Sequence, residues 1–191
     1  QRFQDLGLVA VGGTAAALHC QHRVSLDVDA VTPLLRDRFD EVTAALSAWE
    51  GWQTSRLNPP VLILGERHGV ELGLRQQRRS VSLHTTSVEG LLIPTVREML
   101  RVKAFLLLQR RATRDYVDVA ALAERLGEAS ALRALCYLNA VYPDPLLPQT
   151  PLTRFAEACE AEPLDLTVVP LASYKDIRPP YGATSTILTE Y

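Results

Sequence analysis

Between Gly12 and Asp29 the chain compresses a glycine pair, a helix-length run and two carboxylates one residue apart, a combination that few folds accommodate. The apolar residues Leu6, Leu8, Val9, Ala10 and Val11 lead into it and read as a buried strand. Thr14 is placed to N-cap the short helix that follows the glycines. Leu26, Val28 and Ala30 alternate with Asp27 and Asp29, the pattern of a second strand with both acids on one face. Carboxylates so close repel each other unless something offsets the repulsion, and a divalent cation, which prefers oxygen ligands, does so. Glycine pairs and Asp-x-Asp pairs are each common in ordinary turns and edge strands, and it is their conjunction that is informative. It turns backbone N–H groups and a helix N-terminus toward an anion on the same edge where the acids face a metal.

The rest of the chain supplies a frame for that edge. Leu35, Phe39, Val42, Ala45, Leu46 and Trp49 fall at helical spacing and predict an amphipathic helix over Leu34 to Trp52 that covers a sheet face. Asn58-Pro59-Pro60 is a turn, and Val61 to Leu64, Val70 to Leu74 and Val81 to Leu83 read as strands joined by hairpin turns at Arg67-His68-Gly69 and Gln76 to Ser80. Short strands punctuated by glycine and charge favour a mixed or antiparallel sheet. Beyond Pro94 the period becomes helical: Thr95 to Arg111, Arg114 to Leu126 capped by Thr113 and ended by Gly127, Ala129 to Val141, and Leu152 to Cys159. The tail from Pro163 to Tyr191 reads as a wrapped extension. The expected class is therefore α/β (α+β), with a sheet-bearing core over residues 1–90 and a helical C-terminal portion with an extended tail over 91–191.

Charge and cysteine usage narrow the partners. From Arg75 to Arg114 there are nine basic residues against Glu89 and Glu98, a local net of +7 that suggests an anionic ligand or a solvated arginine-rich surface. The chain holds eighteen arginines but only two lysines, Lys103 and Lys175. A lysine on the helix face at 103 specifies a compact point charge, suited to phosphate unless it merely snorkels. Asp115 and Asp118 fall in the first turn of the next helix, where Asp118 complements the dipole and Asp115 can pair with Lys103 or Arg114. Cys20, Cys136 and Cys159 are too scattered for a zinc site or a disulfide framework, so reduced, cytoplasmic thiols are expected. No signal peptide is visible, no apolar segment approaches a membrane span, and Gln1 in place of methionine suggests that the natural start lies upstream.

The block Gly12-Gly13-Thr14 with His22-Arg23-x-Ser25-x-Asp27-x-Asp29 resembles the opening motif of the AbiEii/AbiGii-type nucleotidyltransferase toxins, a branch of the DNA-polymerase-β-like nucleotidyltransferase superfamily. Lys103 to Asp118 is similar to that family's second block, and Ser173-Tyr174-Lys175-Asp176 with Pro179-Pro180-Tyr181 to its tail. The resemblance implies a polymerase-β-like mixed sheet with flanking helices. It implies that Gly12, Gly13, Thr14 and Ser25 cradle the triphosphate, that Asp27 and Asp29 bind Mg²⁺, that Lys103 contacts phosphate and that Asp115 is a catalytic acid of the second block. Superfamily members often carry a third carboxylate on a later strand, for which Glu71 is the candidate metal ligand. The implied reaction is Mg²⁺-dependent transfer of NMP from NTP to an acceptor, RNA such as a tRNA 3′ end, by the toxin of a toxin–antitoxin or abortive-infection system with a cognate antitoxin protein. Two other expectations stand beside it: a non-catalytic nucleotide- or partner-binding module of the same fold, and an enzyme that AMPylates protein hydroxyls.

Overall fold

The computed structural model describes residues 3–181 apart from 80, 170, 172, 173 and 175. After a 3-10 turn at Gln4–Leu6, strand β1 (Val9–Val11) passes without a loop into helix α1 (Gly12–Cys20), and β2 (Asp27–Thr32) follows. Helix α2 (Phe39–Ser47) precedes strands β3 (Trp52–Asn58), β4 (Leu62–Arg67) and β5 (Val70–Gln76). A small ribbon, β6 (Thr85–Val88) and β7 (Leu91–Pro94), leads to helices α3 (Val96–Arg110), α4 (Thr113–Leu126), α5 (Glu128–Leu135), α6 (Leu138–Val141) and α7 (Pro151–Cys159).

The main sheet runs in the order β1-β2-β5-β4-β3. It is mixed, as expected: β2 and β5 are parallel, and the other pairs are antiparallel. A parallel pair needs a crossover, which here is α2 with the β3–β4 hairpin. Phe39, Val42 and Leu46 on α2 pack with Leu6, Leu35 and Ile63 against one face of the sheet. The helix is shorter than the periodicity predicts, because Gly51 turns the chain at φ +79° and Trp52 already belongs to β3. His68 and Gly69, at φ +52° and +79°, make the two-residue turn between β4 and β5 that suits strand twist.

Three further expectations fail locally. Val81 to Leu83 form no strand, and the ribbon β6–β7 stands just after them. The helix predicted over Ala129 to Val141 breaks at Cys136 and Tyr137 into α5 and α6. Helix α3 is capped by Thr95, whose side chain accepts from the Glu98 N–H. Helix α4 is not capped by Thr113; instead the Thr113 N–H and hydroxyl both donate to Asp165, at 2.7 and 2.6 Å, from the returning tail. Met99, Leu100, Ala104 and Leu107 on α3 join Val117 and Leu122 on α4 and Ala15 and Ala16 on α1 in the larger core. That packing sets α3 and α4 directly behind the glycine turn. No helix among the described residues is long and apolar enough to cross a membrane.

Candidate functional site

The glycine pair opens α1, and its neighbours explain why side chains are missing there. Gly12 adopts φ +74°, and a Cβ on it would lie 3.2 Å from Asp29 Oδ2. A Cβ on Gly13 would lie 2.5 Å from Arg23 Nη2 and 2.7 Å from Ser25 Oγ. Thr14 does not cap the helix: Val11 is the cap residue, with no side-chain hydrogen bond, and the Thr14 hydroxyl donates to the backbone carbonyl of Asp27. The first turn of α1 is thereby pinned to the start of β2, with its leading N–H groups free of any capping side chain.

Asp27 and Asp29 stand on one face of β2, half-buried. Ser25 donates to Asp27 Oδ1 at 2.7 Å, and Arg75 Nε reaches Asp29 Oδ1 at 3.3 Å. The parallel register sets Glu71 beside Asp27 and Gly73 beside Asp29, so all four positions share a face. Glu71 is exposed there, yet among the described residues no group of three or more acids, histidines or cysteines converges closely enough to hold a metal ion. The expected third ligand is thus on the correct face without joining the aspartate pair.

Behind the turn lies a buried ionic network. Lys103 is only 1% exposed, and its Nζ sits 3.3 Å from Asp115 Oδ1 and 2.5 Å from Asp118 Oδ2. It is neither a snorkelling lysine nor one open to phosphate, as the sequence suggested. Asp118 also accepts from Arg23 Nε and Nη2, at 2.8 and 3.0 Å, and meets His22 Nε2 at 2.7 Å. Burial alone would raise the Asp118 pKa, but Lys103, His22 and Arg23 outweigh it and hold the carboxyl far below the usual carboxylate range. Burial likewise disfavours the charged form of Arg23, and the hydrogen bonds and charge of Asp118, with the field of Asp27, reverse that. Asp115 pairs with Lys103 and Arg110, whereas Arg114, its other expected partner, points to solvent. The hydrogen bonds that Arg110 donates to Asp115 raise the Arg110 pKa against its burial, and the field of Asp29 adds to the shift. Arg110, partly exposed, therefore brings positive charge from the network to the aspartate pair.

The basic stretch changes meaning accordingly. Of its nine cations, Arg75, Arg79, Arg101, Lys103 and Arg110 are ion-paired, with Arg79 and Arg101 both held by the fully buried Glu98. The +7 count stops one residue before Asp115 and so omits the acids that neutralise it. Sequence reasoning quoted His22 and Arg23 in the motif and counted Arg75 and Arg110 in the basic stretch without giving any of the four its place, and it missed Gly73. The available signal was the placement of Glu98, Asp115 and Asp118 within apolar helices, since buried acids require buried cations.

The tail closes the outer side of this network. Tyr174 lies 5.9 Å from the Arg23 guanidinium, the Tyr181 ring meets His22 edge-on at 6.0 Å, and the Arg178 N–H donates to the His22 carbonyl at 2.8 Å. Ser173 and Lys175 of the tail motif lie outside the described residues. A cleft of about 370 Å³ opens between α1 and the tail, lined by Ala17, Gln21, Arg23, Val24, Asp176 and Arg178, but neither aspartate reaches it.

No protein-family model matches the sequence, and no curated protein matches it. Solved structures do. The solution structure of the antibiotic-resistance factor ANT(2'')-Ia is similar with a TM-score of 0.55 at 12% identity, over 73% of this chain and 85% of that one. The crystal structure of ANT(2'')-Ia in complex with adenylyl-2''-tobramycin gives 0.55 and 12% over 73% of this chain and 90% of that one. JHP933 from Helicobacter pylori is 17% identical over 82% of each chain, with a TM-score of 0.42. The likeness to ANT(2'')-Ia is one of fold: this chain has a nucleotidyltransferase fold, with the mixed sheet and flanking helices expected of it. The AbiEii/AbiGii branch is not singled out by these neighbours.

Proposed function

We propose that this chain is a Mg²⁺-dependent nucleotidyltransferase that moves NMP from NTP to an acceptor hydroxyl. The observation that carries the reading is the contact between the glycine turn and the aspartate pair, where Gly12 lies against Asp29 and Thr14 is tied to Asp27. Uncapped N–H groups at the start of α1 suit the phosphates, and the adjoining carboxylates suit their counter-cation. Among the described residues each aspartate keeps its Oδ2 free of hydrogen bonds. Two carboxylates completed by substrate phosphates are a sufficient donor set for Mg²⁺, which rarely uses an all-protein cage. Bound there, the ion would lower the cost of charge developing on the entering and leaving oxygens.

In the transfer, the acceptor oxygen forms a bond to the α-phosphorus as the bond to the pyrophosphate oxygen breaks, pyrophosphate departs, and the hydroxyl proton passes to solvent water. Gly12, Gly13, Thr14 and Ser25 shape the phosphate cradle, and Arg110 and Arg75 offset negative charge at its edge. Lys103 and Asp115 act from behind, as positioning residues for Arg110. The motif resemblance supports an RNA acceptor and a toxin role alongside an antitoxin. A second acceptor class is favoured by the register: Glu66, Glu71 and Asp27 lie side by side across β4, β5 and β2, an acidic row that repels a phosphate backbone and attracts a cation. ANT(2'')-Ia, captured with adenylyl-2''-tobramycin, lends that class an example.

The test incubates the protein with Mg²⁺, each labelled NTP, and either total RNA or tobramycin, with Asp27→Ala/Asp29→Ala as control. Labelled product that the double variant fails to make supports the proposal, and the labelled acceptor identifies the class. No product with any NTP, or equal labelling by the variant, overturns it and leaves the fold as a binding module.

A further inference from the structure

We infer that Arg23 is a positioning residue that sets the shape of the glycine turn, with Asp118 as its anchor, so that the pair governs how tightly nucleotide phosphates are held. The inference takes from the nucleotidyltransferase proposal only what the turn binds; the geometry of the turn stands apart from it.

Arg23 does not reach the cradle itself. Its Nε and Nη2 lie on the two oxygens of Asp118, a fork-on-fork pair that fixes the guanidinium plane, and its Nη1 lies 3.4 Å from the Val24 carbonyl. The same Nη2 occupies the space where Gly13 would carry a Cβ, 2.5 Å from that position. The guanidinium is thus the floor on which the turn rests, and the missing side chain of Gly13 is what lets the turn settle there. Asp118 cannot follow a displaced Arg23, because Lys103 from α3 and His22 hold it from other sides. Tyr174 and Tyr181 of the tail close the assembly from outside. Nothing in this arrangement needs the guanidinium to touch substrate. It transmits the position of α4 to Gly13, at the start of the phosphate-facing turn.

Arg23→Lys keeps the charge but removes the planar fork and vacates the floor, so the turn loosens while the cluster stays neutralised. Gly13→Ala disturbs the same contact from the other side without emptying the buried cluster. Two measurements follow. One is amide exchange over residues 12–15 in the protein without nucleotide. The other is KM and kcat with each NTP and Mg²⁺, using the acceptor found in the labelling assay, with direct binding of the same NTP by calorimetry. Arg23→Lys is expected to speed exchange over residues 12–15 and to raise KM and Kd about 10-fold with kcat changed by less than about 3-fold, the pattern of lost uniform binding. Because the two side chains share one contact, the effects of Gly13→Ala and Arg23→Lys should combine to less than their product. Unchanged exchange and unchanged affinity in both variants, or effects that multiply independently, overturn the inference. So does a loss confined to kcat. A wild-type chain that binds no NTP, while Arg23→Lys still frees the amides of residues 12–15, supports the positioning of the turn and overturns the nucleotide reading instead.

Discussion

Gly73 offers a perturbation whose consequence can be worked from a single contact. The residue lies on β5 directly beside Asp29, and a Cβ there would come closer than 3.0 Å to Asp29 Oδ1 and within 3.2 Å of Leu64 Cδ2. The backbone of β5 is extended at this point and tolerates alanine, so the added methyl must push the carboxylate rather than the strand. Restoring an ordinary contact displaces the Asp29 carboxylate by on the order of 1 Å, and a misplacement of that size at a reacting centre costs about 100-fold in rate. Stability should fall by no more than about 2.5 kcal/mol, since overpacking costs about 1–3 kcal/mol while replacing glycine in a strand recovers about 0.5–1 kcal/mol. The assay is the initial rate of label transfer at saturating NTP and Mg²⁺, with thermal unfolding measured alongside. Gly69→Ala is the counterpart: at φ +79° in the hairpin, with nothing within 4 Å, it strains the backbone without touching the site. It should lower stability by about 1–2 kcal/mol and leave the rate intact. Gly73→Ala transferring label at the wild-type rate would refute the placement of Asp29 at the reacting centre, as would an equal further loss when it is added to Asp29→Ala.

Other expectations follow from the buried charges and thiols. Lys103→Met removes one partner from between two buried carboxylates and should destabilise the fold by about 3–5 kcal/mol in urea unfolding; a cost below about 0.5 kcal/mol is what an exposed lysine would give. The folded pKa of Asp118 is depressed, so the stability it lends is complete above the unfolded aspartate value of about 3.9 and is lost as pH falls below that value. Asp118→Asn should therefore be less stable near neutrality and show a flatter acid limb; an unaltered limb between pH 5 and pH 2 contradicts the assignment. Burial pushes the Cys20 and Cys159 thiols up to about 12, while Cys136 is exposed. Titration with a disulfide reagent at pH 8 should find one fast thiol, and loss of that phase in Cys136→Ser checks which it is.

The parts of the fold that could be read in advance are those whose ends carry their own chemistry. Gly127 ends α4 and the Gly-Gly turn marks the passage from β1 to α1, both as read from the sequence, whereas the caps Thr95 and Thr150, with Pro151 in the first turn of α7, were not singled out there. Strand β3 was illegible because all its residues after Trp52 are exposed, so no alternation separates it from a polar loop. In the candidate site the glycines and aspartates were legible through their spacing, whereas their support was not. Arg23 and Asp118 are 95 residues apart, and nothing local to either marks the other. The lysine was rightly singled out as unusual, but its environment depends on which helix face α4 turns toward α3, a tertiary fact. Counting charge along a window mistook internal pairing for an open basic surface.

The same 95-residue separation has a consequence for how the protein is made. Gly12, Gly13, Asp27 and Asp29 leave the ribosome early, but the anchor of Arg23 emerges with α4, and the Arg178 N–H that meets His22 emerges later still. Long-range closures of this kind come late in folding, after local helices and hairpins. Chain growth therefore acts as a timer on the site. A polypeptide stopped before Asp118 carries every residue of the glycine–aspartate motif and lacks the support that shapes it.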